Sequence, residues 1–359
     1  MDNTQKIALS IVDVERKYAQ DYEETVYGAN SIVSYGADNS FPVLLRNCYR
    51  NSATLKSVID GIVAYILGDG IEIGDGLALF KDKVNRTGMT MRQFIANLAI
   101  DYMVYGGFAY QVINTKLGTI AELYPLDFSR CRTNEYGTKI FYSKKNWTKW
   151  GTKAEEFERY DRTRKQDTAI VYFKGDFTKN VYPLPMWYGA LNDVLTEIEC
   201  SRYSLNSISN GFSARYLINF PNTAQNLTDE QKQVIEDGIK TKFCGTDTSS
   251  NFMLWFADGT DGLSVAKLET DDSHERFVAI KDNCRTNIYT SLRCTPLLFG
   301  LPNATNGFST SEYKDSYKLF QKSVVSPIQD VILESISKTL GVENEITILP
   351  FNIVFDNEQ

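Results

Sequence analysis

The sequence predicts an α+β fold, with helical and strand segments kept in separate blocks, and three observations carry that expectation. Apolar residues recur at three- and four-residue steps in long stretches near 51–67, 90–105, 190–211, 272–298 and 311–340. Short strand-like runs sit at 108–125 and 170–173, bounded by turn-forming residues. The last third reads as helix, proline-bracketed loop, helix, and from Phe299 to Ser311 no side chain is charged.

Taken in order, residues 1–30 read as a loosely ordered arm with a short helix near Val12–Tyr22. From Asn51, the residues Ala53, Leu55, Val58, Ile59, Ile62, Val63 and Ile66 mark a helix that stops at Gly68-Asp69-Gly70. A second helix covers Thr90 to Tyr105, with Phe94, Ile95, Leu98 and Met103 on one side, and Gly106-Gly107 ends it. Strands follow at Phe108–Ile113 and Ile120–Pro125, joined by a turn around Lys116-Leu117-Gly118. Residues 138–167 hold nine Lys/Arg and five Asp/Glu, with Trp147, Trp150 and Tyr160 interleaved. That mixture fits either a nucleic-acid surface or a solvated β-hairpin. Ile170–Phe173 adds a strand.

The helix from Ala190 to Gly211 places Leu191, Val194, Leu195, Ile198, Leu205 and Ile208 on one stripe, with Asp193, Glu197 and Glu199 elsewhere. A compact insertion follows, with strands at Tyr216–Phe220 and Asn251–Phe256. Between them Thr228-Asp229-Glu230-Gln231 is a capping box opening a helix to Phe243. The helix from Asp272 to Leu298 carries Phe277, Ile280, Cys284, Ile288 and Leu292. After the neutral loop a second helix starts near Ser311, with Leu319, Val324, Ile328, Ile332 and Ile336 on its apolar side. Pro327 lies within it, where a proline should kink it.

Composition narrows the function. The chain has 359 residues, 43% of them apolar, with 21 Tyr and 20 Phe, so it can bury real cores. Its 38 basic and 45 acidic residues give net −7, unlike a protein that grips nucleic acid by neutralising phosphates. Six scattered cysteines and a single histidine, His274, make a zinc site or Cys-His catalysis improbable; buried free thiols and an exposed His274 are expected. No GxxxxGK[ST] phosphate loop and no GxSxG elbow occurs, and no cofactor or catalytic residue is expected. Neither a signal-peptide core nor an apolar run long enough to span a bilayer is present, so a protein made in the cytosol is expected.

The succession of parts resembles the phage portal proteins of the HK97 type. Leu292-Arg293-Cys294-Thr295-Pro296-Leu297-Leu298-Phe299-Gly300 is similar to the family's helix-ending turn. Val325-Ser326-Pro327-Ile328-Gln329-Asp330-Val331-Ile332 is similar to the step inside its long helix. Upstream, Tyr182-Pro183-Leu184-Pro185-Met186-Trp187 stands where the family has a Ser-Pro-Leu helix opening, and departs from it. Asp101-Tyr102-Met103-Val104-Tyr105-Gly106-Gly107-Phe108-Ala109-Tyr110 matches its helix-to-strand passage. The resemblance covers about residues 35–340 and implies a portal fold. Its parts are an α+β wing (1–189), stem helices (190–211 and 272–298), a small α/β clip (212–271), a tunnel loop (299–311) and a C-terminal long helix with a terminal strand (312–359), the crown reduced or absent. It implies a virion protein forming a ring, twelve-fold in the virion, at one capsid vertex, through which double-stranded DNA is packaged and ejected. Implied partners are the terminase large subunit, a head-tail adaptor and the major capsid or scaffold protein, with no membrane. Asn303, Thr305, Asn306, Ser309 and Thr310 are the candidates for channel contact with DNA. Another head-tail connector or minor head protein, and an enzyme with an unrecognised site, remain as alternatives; particle mass in solution separates ring from monomer.

Overall fold

The computed structural model describes residues 22–28, 30–149, 152–176, 178–209, 215–220, 252–256, 264–268, 273–300 and 310–351. Apart from Tyr22, which is not helical, the helix expected near Val12–Tyr22 lies outside these residues, as do the one from Thr228 to Phe243 and Cys244.

Along the chain, a two-stranded ribbon, β1 (Val26–Tyr27) and β2 (Ile32–Val33), precedes α1 (Phe41–Asn51) and α2 (Ala53–Leu67). Ser52 separates the two helices, and its Oγ accepts the Leu55 N–H at 3.0 Å, which caps α2 and explains the break. Then come β3 (Gly70–Ile73), a 3₁₀ turn at Asp75–Leu77, the single-turn α3 (Ala78–Lys81) and α4 (Met91–Tyr105). Thr90 and Gln93 form a capping box at the start of α4, and Gly106, at φ +84°, closes its end. The strands β4 (Gly107–Asn114), β5 (Ile120–Leu126), β6 (Cys131–Thr133), β7 (Lys139–Tyr142), β8 (Glu155–Glu158) and β9 (Thr168–Lys174) follow. The remainder comprises α5 (Leu191–Ser209), β10 (Arg215–Phe220), β11 (Phe252–Phe256), β12 (Ser264–Leu268), α6 (Ser273–Ser291), α7 (Thr310–Phe320), α8 (Ser326–Leu340) and β13 (Ile346–Leu349).

The chain divides into two compact units. The first contains residues 1–47, 59–192 and 310–359. Its centre is the antiparallel sheet β5-β4-β9, with Tyr110 opposite Pro125 on one side and Val171 on the other. Helix α4 lays Phe94, Ile95, Leu98 and Ala99 into the core, Phe94 meeting Tyr110 edge-on at 5.4 Å. Gly107 must be glycine, because a Cβ there would stand 2.4 Å from the Phe173 carbonyl oxygen. A second antiparallel sheet, β6-β7-β8, carries an aromatic cluster with Tyr35 and Tyr182 stacked at 4.4 Å. Buried Trp187 donates its indole N–H to the Met103 carbonyl at 3.0 Å. Strand β13 pairs antiparallel with β3, Ile346 opposite Ile73. That pairing carries the chain just after the helix stop at Gly68-Asp69-Gly70 into sheet.

The second unit contains residues 48–58 and 193–309. In it β10 pairs parallel with β11 and antiparallel with β12, a strand the sequence reading did not foresee.

Two helix boundaries differ from expectation. Helix α6 ends at Ser291 rather than Leu298. Arg293 turns left-handed at φ +53°, and the Cys294 N–H reaches back to the Tyr289 carbonyl at 3.1 Å, a Schellman-type stop. Pro296 also keeps Thr295 out of the helical region. Around Pro327 the chain stays helical from Thr310 to Leu340, but through a π turn at Gln321–Val325, where the Ser326 N–H bonds to the Gln321 carbonyl. The wider turn receives the proline that a regular helix would exclude.

Candidate functional site

Within the second unit, α5 and α6 are antiparallel neighbours. Asn287 donates to Asp193 at 2.8 Å, and Tyr203 stacks on Phe277 at 4.7 Å. Both contacts step ten residues along their helices in opposite directions, so the pair runs together for about 15 Å. Glu197, placed by sequence off the apolar stripe, is buried. Its carboxylate accepts hydrogen bonds from the Ser52 hydroxyl, the Thr54 hydroxyl at 2.7 Å and the Thr54 N–H at 3.2 Å. A negative charge on the first turn of α2 suits the helix dipole there. Leu205 and Ile280 go the other way. Expected on buried stripes, they are 63% and 40% exposed, with Tyr203 and Val278 about half exposed beside them.

Beyond α6, a 3₁₀ turn at Pro296–Phe299 closes on Gly300, at φ +77°, whose N–H reaches the Leu297 and Pro296 carbonyls. Of the candidate contact residues, Asn303, Thr305, Asn306 and Ser309 lie outside the described residues, and Thr310 is the first residue of α7. In the first unit α7 is held by tyrosines that sequence did not single out. Tyr313 and Tyr65 share a hydroxyl hydrogen bond at 3.2 Å, and Tyr317 donates to the Phe351 carbonyl at 2.9 Å. Leu319, expected on the apolar side, is 71% exposed. Helix α8 is fixed through Gln329, whose amide donates to the Ile66 carbonyl at 2.8 Å, and through Tyr110, which meets Ser335 and Thr339 at 2.8–3.1 Å. No periodicity argument reveals such single polar tethers.

Chemical reactivity is muted. Burial pushes the Cys48 and Cys294 thiols up to about 12 and Cys284 to about 11, so none of them is a thiolate at neutral pH. The five described cysteines are free and buried. Among the described residues no His, Cys, Asp and Glu side chains group to hold a metal ion, and no helix is long and apolar enough to cross a membrane. The expectation for His274 concerns a side chain outside the described set. The basic stretch 138–167 contains a β-hairpin, β7 and β8, with Lys139 paired to Glu156 at 2.5 Å and Lys144 to Glu155 at 3.4 Å. Two of its nine positive charges are therefore met across the hairpin.

A sheet-centred α+β body, an antiparallel helix pair around a small β unit, and a long proline-stepped helix together define a portal-type fold. The family model described as phage portal protein matches residues 72–355. Among solved structures, the neck of a native gene transfer agent particle, with C12 symmetry, superposes with a TM-score of 0.60 at 17% identity, covering 90% of this chain and 86% of that one. The virion of the native gene transfer agent gives 0.59 at 18% identity over the same shares. An HK97 family phage portal protein from Corynebacterium diphtheriae gives 0.50 at 12% identity, covering 82% of this chain and 88% of that one. No curated protein matches the sequence. The chain belongs to the phage portal protein family. As a portal protein it forms the channel at a capsid vertex.

Proposed function

We propose that this chain acts without catalysis, as one of twelve identical subunits in a ring, and that residues 299–311 form the constriction that touches double-stranded DNA. The family match across 72–355 carries the reading. Two features of the chain support it. The distal halves of α5 and α6 leave Tyr203, Leu205, Val278 and Ile280 on the surface, apolar area that a neighbouring subunit would cover. A closed ring needs two different patches per subunit meeting head to tail, and a helix pair exposed on more than one side offers them. The loop composition supports the rest. Asn303, Thr305, Asn306, Ser309 and Thr310 offer weak, exchangeable hydrogen bonds to phosphate oxygens. The absence of Lys and Arg from Phe299 to Ser311 avoids the counterion-release affinity that would hold DNA in place. In this reading the terminase large subunit, a head-tail adaptor and the major capsid or scaffold protein are the partners.

The test is a double variant, Asn303→Arg with Asn306→Arg. Negative-stain images should show rings like those of the parent protein, while DNA translocation in a packaging assay slows or stalls. Packaging at the parental rate would remove the loop as the DNA contact. Absence of rings from both proteins, with packaging partners present, would remove the ring assignment.

A further inference from the structure

A groove of about 590 Å³ opens in the first unit between the edge strand β9, the loop at 159–164 and one side of α8. Four cations and two carboxylates line it, in a chain whose net charge is −7. Arg164 and Lys338 are matched, by Asp161 at 3.3 Å and Glu334 at 2.5 Å. Arg159 and Arg162 are not: among the described residues neither meets a carboxylate. Arg159 donates instead to the Tyr172 carbonyl at 3.0 Å. Arg162 packs against Gly341, the left-handed residue that ends α8, where a Cβ would stand 2.1 Å from its Nη2. The Arg159 guanidinium is thus held by backbone carbonyls and that of Arg162 packs closely on Gly341, both without a counter-charge among the described residues. Nearby, Tyr160 donates to the Thr339 carbonyl at 3.1 Å, and Tyr136 is 77% exposed.

Fixed guanidinium forks recognise carboxylates in pairs of hydrogen bonds, and fixing them beforehand lowers the entropic cost of binding. We infer that this groove docks an acidic peptide segment of a partner protein, with Arg159 and Arg162 taking its carboxylates and Tyr136 and Phe173 taking an intervening apolar side chain. Duplex DNA fits the same surface less well. The groove is concave, Asp161 and Glu334 stand in its lining, and its other two cations, Arg164 and Lys338, are already paired. The assignment concerns the outer chemistry of the first unit and stands apart from ring formation and from the loop at 299–311.

The experiment measures binding of a short fluorescein-labelled peptide alternating Glu and Leu to the full chain, by anisotropy at two salt concentrations. A Lys-for-Glu peptide and a labelled DNA duplex are run beside it. Saturable, salt-weakened binding of the Glu peptide is expected, reduced at least about tenfold by Arg162→Gln, equivalent to about 1.4 kcal/mol. Arg162→Lys should recover part of it. Melting curves establish that each variant is folded, and Arg159→Gln gives the same reading should Arg162→Gln fail to fold. Equal binding of the Lys peptide, no binding of the Glu peptide, no loss in the variants, or duplex binding through the same arginines would each overturn the assignment.

Discussion

Arg132 is 1% exposed and, among the described residues, has no carboxylate near it. Its guanidinium donates to Asn39 Oδ1 at 2.6 Å and to the Ser129 and Cys131 carbonyls at 3.0 and 2.7 Å. The rings of Tyr35, Trp147 and Tyr182 stand within 5.9 Å. A buried cation survives when carbonyl oxygens and ring faces replace water, and burial here lowers its pKa without removing the charge. Asp101 illustrates the opposite sign. Burial first, and then the charge of Asp127, push its carboxyl well above the usual range, against the Phe128 N–H that bonds to it at 3.2 Å. The folded protein therefore keeps that proton at pH values where the unfolded chain, with a pKa of about 3.9, releases it. Stability contributed by this group is full below the unfolded pKa and falls as pH rises toward the folded value. Asp101→Asn should leave the melting temperature unchanged near about pH 4 and raise it near neutrality. Equal shifts at both pH values would show that something other than proton linkage acts. Neither residue was legible in the sequence, because an isolated Arg or Asp carries no mark of the neighbours that surround it.

Elements show where sequence reading succeeds and where physics hides the answer. Helix α4 was legible to its ends, since Phe94, Ile95 and Leu98 share a face and Gly106-Gly107 permits the left-handed close. The β4–β5 hairpin was legible from alternation and its Gly118 turn. Helix α1, the β1–β2 ribbon and the β3–β13 pair were not, being short or dependent on partners far away in the chain. The π turn was half legible: Pro327 announced a disturbance, not its form. Deleting Lys322 should restore a regular helix and turn α7 by about 100° against α8. The Tyr313–Tyr65 and Tyr317–Phe351 bonds would then be lost, and a lower melting temperature is expected; an unchanged melt would mean those tyrosines do not fix α7. Glu197 was misplaced because its polarity hid its burial. Glu197→Ala leaves the Ser52 and Thr54 donors without their acceptor and should cost about 1–3 kcal/mol in denaturant unfolding. Glu197→Gln, which keeps an acceptor, should cost less.

At the scale of the molecule, the order of parts was more informative than any single motif, because portal-type proteins are specified by succession: body, helix, insertion, helix, loop, long helix. The candidate contact residues follow from the resemblance, which places a channel loop at 299–311, and from the polar, uncharged side chains there; four of the five lie outside the described residues. The insertion between α5 and α6 is our candidate for the strongest contact between subunits, since a piece of about 60 residues buries too little of its own surface to be stable alone. Removing residues 213–270 should abolish rings in electron micrographs while the first unit retains its melting transition. Rings that persisted would place the main contact elsewhere.

The pairing of β3 with β13 also bears on the order of events during synthesis. β3 leaves the ribosome early, but its partner is about three-quarters of the chain's length away. Until translation has passed Leu349, that strand has an open edge, a surface able to recruit foreign strands. Its brevity, four residues led by Gly70, keeps the hazard small. Closing such a distant contact adds little entropic cost, since that cost grows only with the logarithm of the spacing, but it delays the contact. The seam at Gly70–Ile73 therefore closes late, after most of the body has formed, so that a nascent subunit interrupted before Leu349 would still show the open edge that marks it as unfinished.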